Sequence, residues 1–235
     1  MRLRRDGDDR PLVIGHRGAA AVAPENTLAA LEAGVAAGAD LVEFDISPGL
    51  RLAHSDSERP AAELHLDDAL ELLAAATVGV HLDVKLPGYE SDVLHAVRRH
   101  GLAERALVST AFAVSSRRVA ALAPGLPVAI GYPRDRLNAS SLPWPQTLQR
   151  TGAAALRSAM PARVPVLLRR ARANTLSLHH TLCSSAAVAA AHRLGAPVLA
   201  WTVNDPDGVR RVTDAGVDGI VSDDPEMALA TLRTL

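Results

Sequence analysis

The sequence is poor in the features that mark secreted, membrane-spanning or nucleic-acid-binding proteins. One cysteine, Cys183, stands among the 235 residues, so no internal disulfide is possible and we expect a reducing, cytoplasmic compartment. No apolar run reaches the roughly 18 residues that a membrane-spanning helix requires, and we expect no integral membrane segment. The 25 basic and 26 acidic side chains leave a formal net charge of −1. Because long basic runs are also lacking, we expect no nucleic-acid partner.

Short apolar runs alternate with helical segments along most of the chain. Runs of β-branched and aliphatic residues are followed by Ala/Leu/Arg segments at helical spacing, which is typical of repeated βα units. The predicted strands are 12–15, 41–46, 79–84, 106–109, 127–131, 174–178, 197–203 and 219–221. The proline-rich stretch 133–165 is predicted to form loops around a short helix near 146–150. Eight units predict a single-domain (β/α)8 TIM barrel over residues 11–235, after a solvated tail at residues 1–10.

Three acidic side chains fall at the ends of two neighbouring predicted strands. Glu43 and Asp45 lie two residues apart and therefore share one face of their strand, and Asp83 ends the next strand. In a barrel, the C-terminal strand ends form the catalytic face, so these carboxylates meet and repel one another unless a cation lies between them. Hard oxygen ligands favour Mg²⁺ or Ca²⁺. The sequence therefore predicts a divalent metal site at these three residues.

Basic and titratable side chains flank the three acids. His16 and Arg17 follow the first predicted strand; a histidine transfers protons near neutral pH, and an arginine pairs with phosphate or carboxylate. His54, soon after the second strand, is a candidate for a second acid–base group. The chain has 24 arginines but one lysine, Lys85, which shares a strand face with Asp83. We expect Lys85 either to contact a phosphate oxygen or to orient an acidic ligand.

These residues lie in seven segments that together resemble the glycerophosphodiester phosphodiesterase family, in the family's order and from the first strand to the last. The segments are Gly15-His16-Arg17-Gly18, Pro24-Glu25-Asn26-Thr27, Gly38-Ala39-Asp40 leading into Glu43-Phe44-Asp45, the segment around His54, Leu82-Asp83-Val84-Lys85, Trp201-Thr202-Val203-Asn204, and Gly216-Val217-Asp218-Gly219-Ile220 with Ser222-Asp223-Asp224-Pro225. The resemblance covers essentially the whole chain.

The resemblance implies a metal-dependent enzyme of lipid metabolism on a (β/α)8 barrel. Such an enzyme hydrolyses a glycerophosphodiester, a small-molecule substrate, to glycerol 3-phosphate and an alcohol. By the same resemblance, the acid–base pair is His16 and His54, the ligands of one Mg²⁺ or Ca²⁺ are Glu43, Asp45 and Asp83, the phosphate contacts are Arg17 and Lys85, and the residue packed against the glycerol carbons is Trp201. The cation serves as Lewis acid and template.

The sequence departs from the family's pattern at two places. The family usually carries a glutamate where Asp83 stands. Between Ile46 and Leu66 the family has a longer insertion that covers the site, with an aspartate directly after the histidine, whereas Ser55 follows His54 here. The shortened insertion leaves open a lysophospholipase D-type hydrolase that admits a longer alkyl chain, and the altered Asp83 and Ser55 leave open a catalytically weak barrel that binds a phosphoester. The sequence leaves the head group, the preferred metal and the oligomeric state undetermined.

Overall fold

The chain folds into a closed barrel of parallel strands surrounded by helices. The computed structural model describes residues 3–6, 9–55, 64–134 and 146–235. Its strands are β1 (Leu12–Gly15), β2 (Leu41–Ser47), β3 (Arg51–Leu52), β4 (Gly79–Val84), β5 (Ala106–Thr110), β6 (Val128–Tyr132), β7 (Thr175–His179), β8 (Val198–Trp201) and β9 (Gly219–Ser222). Its helices are α1 (Leu28–Ala36), α2 (Leu66–Ala75), α3 (Glu90–Arg99), α4 (Ala113–Leu122), α5 (Gln146–Ala171), α6 (Ser185–His192), α7 (Pro206–Asp214) and α8 (Pro225–Leu232).

Eight of the strands close the barrel. Their order is β1, β9, β8, β7, β6, β5, β4, β2, and a parallel pairing of β1 with β2 joins the two ends. The short strand β3 pairs antiparallel with the end of β2 and stands outside the ring. The predicted (β/α)8 TIM barrel is therefore confirmed.

Alternating side chains along the strands build two apolar layers. Val13 packs with the helices outside the sheet, whereas its neighbour Ile14 joins Leu107 and Leu199 in the barrel interior. This division follows from the pleat, which sends successive side chains to opposite faces. Several helices begin at side-chain caps; at the start of α1, for example, Thr27 accepts a hydrogen bond from the Ala30 amide. Within the described ranges, no helix combines the length and apolar character needed to cross a membrane.

Helix α5 is the largest difference from the sequence prediction. Residues 146–171 form one helix of 26 residues that contains Pro161 and Pro165, where we expected loops and a helix of about five residues. The stripe Met160, Val164 and Leu168 is buried at i, i+4, i+8 spacing in the core shared with α6 and β7. Burial of that stripe outweighs the hydrogen bonds that the two prolines cannot donate.

Part of the predicted N-terminal tail packs against the barrel. Leu3, within the expected solvated tail, is 5% exposed and joins the interior cluster, while the Arg5 amide donates to Asp218. Apolar burial therefore attaches this part of the tail to the barrel. The shortened insertion after β2 includes residues 56–63, which lie outside the described residues. Its described part contains β3 and His54.

Candidate active site

All eight predicted site residues meet at the C-terminal ends of the strands. A cavity of about 550 Å³ opens there. It is lined by seven of the eight, namely His16, Arg17, Glu43, His54, Asp83, Lys85 and Trp201. The eighth, Asp45, is fully buried and contacts Arg17, His54 and Lys85. The β/α topology thus brings together residues as distant in sequence as His16 and Trp201.

A tight glycine-bounded turn places His16 and Arg17 on the rim. A Cβ added to Gly15 would lie 2.1 Å from the carbonyl oxygen of Gly18. Gly18 itself has φ +94° and packs so closely on α1 that a Cβ would lie 2.3 Å from the Ala30 carbonyl carbon. Only glycine fits both positions, because any side chain would collide with backbone.

The three acids come together as the strand register requires. Asp45 on β2 is paired with Asp83 on β4, and Glu43 lies one inward position earlier. One oxygen from each carboxylate lies within 4.8 Å of the others. Oxygen ligands at this spacing, two of them buried, fit a hard divalent cation such as Mg²⁺ or Ca²⁺.

The electrostatics of the three carboxylates differ. Burial and the charge of Asp45 raise the pKa of Glu43 to about 7. Burial also disfavours the charged forms of Asp45 and Asp83, but the Lys85 ammonium outweighs it and holds both pKa values below their usual range. Glu43 is therefore the carboxyl group of the three whose proton a cation must displace near neutral pH.

Lys85 bridges two of the acids directly. Its Nζ lies 2.5 Å from Asp45 Oδ1 and 2.6 Å from Asp83 Oδ2, and the two charges keep its pKa above the usual value despite burial. Of the two roles expected for this lysine, orientation of acidic ligands is the one that these contacts match. Its contact with a phosphate stays a prediction.

His16 is held by Asp223, an acid after the last strand that was not among the eight predicted site residues. Its Nδ1 lies 2.5 Å from Asp223 Oδ1, and Asn204 donates to the other oxygen of Asp223. Burial opposes the protonated imidazole, but the bond to Asp223 and the charge of Glu43 prevail and raise the pKa of His16. Because Nδ1 is engaged, Nε2 is the ring nitrogen left for proton transfer.

His54 reaches the same cluster from the loop after β3. Its Nδ1 lies 3.1 Å from Asp45 Oδ2 and 2.9 Å from Arg17 Nη2. Arg17 also pairs with Glu25 at 2.5 Å, while its Nε lies 3.1 Å from Asp45. The guanidinium therefore links the His54 loop to the buried acid.

Other polar residues complete the site. Their positions in the sequence predict some of them but not all. Asn26, at φ +58°, donates to the side chain of Asp45 and accepts from the amide of the same residue. Ser109 and Asp223 stand at strand ends, where the fold predicts functional residues. His81 was missed, although its position two residues before Asp83 puts it on the same strand face.

One wall of the cavity is apolar. Leu86, Phe112, Pro133 and Trp201 line it, and the Trp201 ring meets His179 edge to face with centroids 5.1 Å apart. The cavity therefore offers apolar surface as well as the charged cluster, a combination suited to a small molecule that has both a phosphate and a carbon skeleton.

The glycerophosphoryl diester phosphodiesterase family model matches residues 16–47 and 82–227. These ranges hold every predicted site residue except His54.

Individual relatives extend over nearly the whole chain. A Caldanaerobacter subterraneus protein named glycerophosphodiester phosphodiesterase is 25% identical over 264 residues, which cover 95% of this chain and 98% of the relative. A solved glycerophosphodiester phosphodiesterase from Parabacteroides distasonis superposes with a TM-score of 0.74 at 20% identity, covering 97% of this chain and 99% of that one. An Oleispira antarctica phosphodiesterase, solved with its product sn-glycerol-3-phosphate, gives a TM-score of 0.70 at 20% identity over 95% and 97% of the two chains. The structural matches share the barrel fold.

Proposed function

The chain belongs to the glycerophosphoryl diester phosphodiesterase family, and from that premise we propose how its cavity works. It is a phosphoric diester hydrolase that cleaves glycerophosphodiesters to glycerol 3-phosphate and an alcohol. The observation that carries the assignment of roles is the cluster of three carboxylates beside two histidines at one end of the barrel. A small-molecule phosphodiester is the substrate that fits both the charged cluster and the apolar wall.

Glu43, Asp45 and Asp83 would hold one divalent cation, Mg²⁺ or Ca²⁺. Bound there, the ion supplies Lewis-acid stabilisation of charge on the phosphate oxygens. Asn26 keeps Asp45 in place by two hydrogen bonds, one to its side chain and one to its amide. The side chains thus present their oxygens in a fixed arrangement before the ion arrives.

His16 and His54 would move the two protons of the reaction. One proton leaves the attacking water molecule as its oxygen bonds to phosphorus, and another is delivered to the alcohol oxygen as its bond to phosphorus breaks, which leaves glycerol 3-phosphate and the alcohol. The bond to Asp223 favours the protonated form of His16, which suits the role of acid toward the leaving oxygen. His54, whose ring nitrogen Nδ1 lies between Arg17 and Asp45, then takes the role of base.

Arg17 and Lys85 would supply positive charge to the phosphate, and Trp201 would pack against the glycerol carbons. Both cations line the cavity, and each is anchored by acids of the site rather than by solvent. Charges fixed in this way need no reorganisation when negative charge develops on the phosphate.

The decisive test is release of sn-glycerol 3-phosphate by the purified protein from glycerophosphocholine and glycerophosphoglycerol. We expect turnover with Mg²⁺ or Ca²⁺ and none in excess EDTA. His16→Ala and His54→Ala should each lose about 10²- to 10⁴-fold in kcat. His95→Ala, an exposed histidine on α3, is the matched control and should retain wild-type turnover.

Three outcomes would change the assignment. Turnover that persists in EDTA would contradict the metal role, and wild-type rates in both histidine variants would contradict the acid–base role. Binding of glycerophosphodiesters without product release under any metal would replace the enzyme by a phosphoester-binding barrel. A lysophospholipid as a parallel substrate tests the lysophospholipase D-type reaction, for which the apolar wall of Leu86, Phe112 and Pro133 is the supporting observation.

We also propose that the protein works in a reducing cytoplasm. The lone Cys183 is 1% exposed, and burial raises the pKa of its thiol to about 12. Such a thiol is inert, so it offers neither a disulfide partner nor a redox group.

A further inference from the structure

A buried hydrogen-bonded chain stands behind the third metal-ligand candidate, Asp83. His81, on the same strand, has its Nε2 2.8 Å from the hydroxyl of Ser109 on the neighbouring strand β5. That hydroxyl lies 2.6 Å from Asp83 Oδ1. His81 and Ser109 are 3% and 4% exposed. Lys85 contacts the other carboxylate oxygen, so Asp83 is held on both of its oxygens.

The chemistry of the groups fixes the direction of the chain. A carboxylate paired with an ammonium can only accept hydrogen bonds, so the one hydrogen of the Ser109 hydroxyl points to Asp83. The same hydroxyl then has only lone pairs to offer His81, and Nε2 of His81 must carry the ring hydrogen. The chain therefore runs from His81 through Ser109 to Asp83, with every step donating toward the carboxylate.

Stability alone does not explain this arrangement. Nδ1 of His81 is buried and has no hydrogen-bond partner among the described residues. A buried polar atom without a partner is unfavourable, and an apolar side chain at position 81 would avoid that cost. The polar side chains at 81 and 109 are therefore better explained by what they do to Asp83.

We propose that Ser109 and His81 are positioning residues that fix the Asp83 carboxylate for the divalent cation. The inference rests on the proposed metal site. An aspartate side chain has few rotatable bonds, but its carboxylate can still rotate about the Cβ–Cγ bond. Ser109 and Lys85 each hold one oxygen and stop that rotation, which keeps the Asp83 carboxylate on the cavity lining with an oxygen within 4.8 Å of a Glu43 oxygen. Partners of this kind orient metal ligands, and their loss typically weakens metal binding about 10- to 100-fold.

The test is a calorimetric titration of the substrate-free, metal-free protein, once with Mg²⁺ and once with Ca²⁺, which measures the Kd of each ion. We expect Ser109→Ala to raise the Kd about 10- to 100-fold. Ser109→Thr keeps the hydroxyl and should restore most of the affinity. Ser116→Ala removes a buried serine on α4, away from the cavity, and is the matched control with wild-type Kd. Thermal denaturation in EDTA establishes that each variant is folded.

A double variant tests whether His81 acts on Asp83 through Ser109 or independently of it. His81→Phe should raise the Kd less than Ser109→Ala does, because it removes only the support of the serine. If His81 acts through Ser109, then the double variant Ser109→Ala/His81→Phe binds no more weakly than Ser109→Ala alone. If the increase in Kd of the double variant equals the product of the two single increases, His81 and Ser109 act independently and the chain is refuted. A wild-type Kd in both single variants would refute the inference altogether. Failure of the wild-type protein to bind either ion would instead overturn the metal site, and the inference with it.

Discussion

Replacing Glu43 by glutamine should stabilise the metal-free protein at alkaline pH. In the absence of a cation, ionised Glu43 is buried beside the carboxylate of Asp45, and Lys85 is already engaged by Asp45 and Asp83. Glu43→Gln removes that charge but keeps an oxygen that can accept from the Arg17 amide, as Glu43 Oε2 does at 2.8 Å. The variant is thus a nearly isosteric probe of what the cation neutralises.

The magnitude follows from the pKa of Glu43. An unfolded glutamate loses its proton near 4.5, whereas burial and the charge of Asp45 let the folded protein hold it up to about 7. Between these values the folded state binds more protons than the unfolded state, so the free energy of unfolding of the wild type falls as pH rises. The full loss corresponds to about 3 kcal/mol. The glutamine of Glu43→Gln does not titrate, so the variant does not undergo this loss in the free energy of unfolding.

Urea denaturation in EDTA at pH 5 and pH 8 measures the effect. We expect the stability difference, Glu43→Gln minus wild type, to grow by about 2 to 3 kcal/mol between the two pH values. Glu32→Gln, an exposed glutamate on α1, should change stability by less than about 0.5 kcal/mol at either pH. A difference for Glu43→Gln that is the same at pH 5 and pH 8 would refute the reasoning, because it would mean that Glu43 titrates alike in the folded and unfolded chains.

Two further substitutions probe the charges around the cluster. Lys85→Met leaves Asp45 and Asp83 buried without their ammonium, so we expect the metal-free protein to lose about 3 to 5 kcal/mol of stability in urea, part of which Mg²⁺ restores; unchanged stability would count against the bridge. Asp223→Asn removes the acid that raises the pKa of His16, so the limb of the kcat/KM profile that depends on His16 should move to lower pH and kcat should lose part of the about 10²- to 10⁴-fold acid–base contribution; an unmoved limb would show that His16 is not the group titrating there.

The barrel and its rim were predictable because both depend on local signals. The barrel strands are rich in apolar residues and are buried on both faces, as in β2, where all seven residues are buried and four of them are apolar. Parallel strands joined by helices bring their C-terminal ends to one rim, so Glu43, Asp45 and Asp83 could be placed together without any knowledge of side-chain contacts. Strand order along the chain is also strand order around the barrel, which made neighbours of β2 and β4.

The rest depends on contacts between distant parts of the chain. No local pattern announces that Asp223 accepts from His16, since the pair forms only when β9 closes the ring against β1. The prolines of α5 suggested loops because local helix propensity does not take account of tertiary packing. Met160 and Val164 pack in the core, and that burial stabilises the helix. His81 was missed for a related reason, because its role depends on its contact with the hydroxyl of Ser109 on the neighbouring strand.

The charge balance of the cluster explains how one barrel can remain folded without its cation and still bind it. Lys85 and Arg17 offset the charge of Asp45 and Asp83, so those two acids stay ionised whether or not an ion is bound. Within the described part of the chain no arginine or lysine side chain forms an ion pair with Glu43, and burial beside Asp45 raises its pKa to about 7, so it holds a proton near neutral pH instead. The cation therefore competes with a single proton on Glu43 rather than with the fixed cations. Ion affinity should weaken below about pH 7 for that reason, while the fold does not.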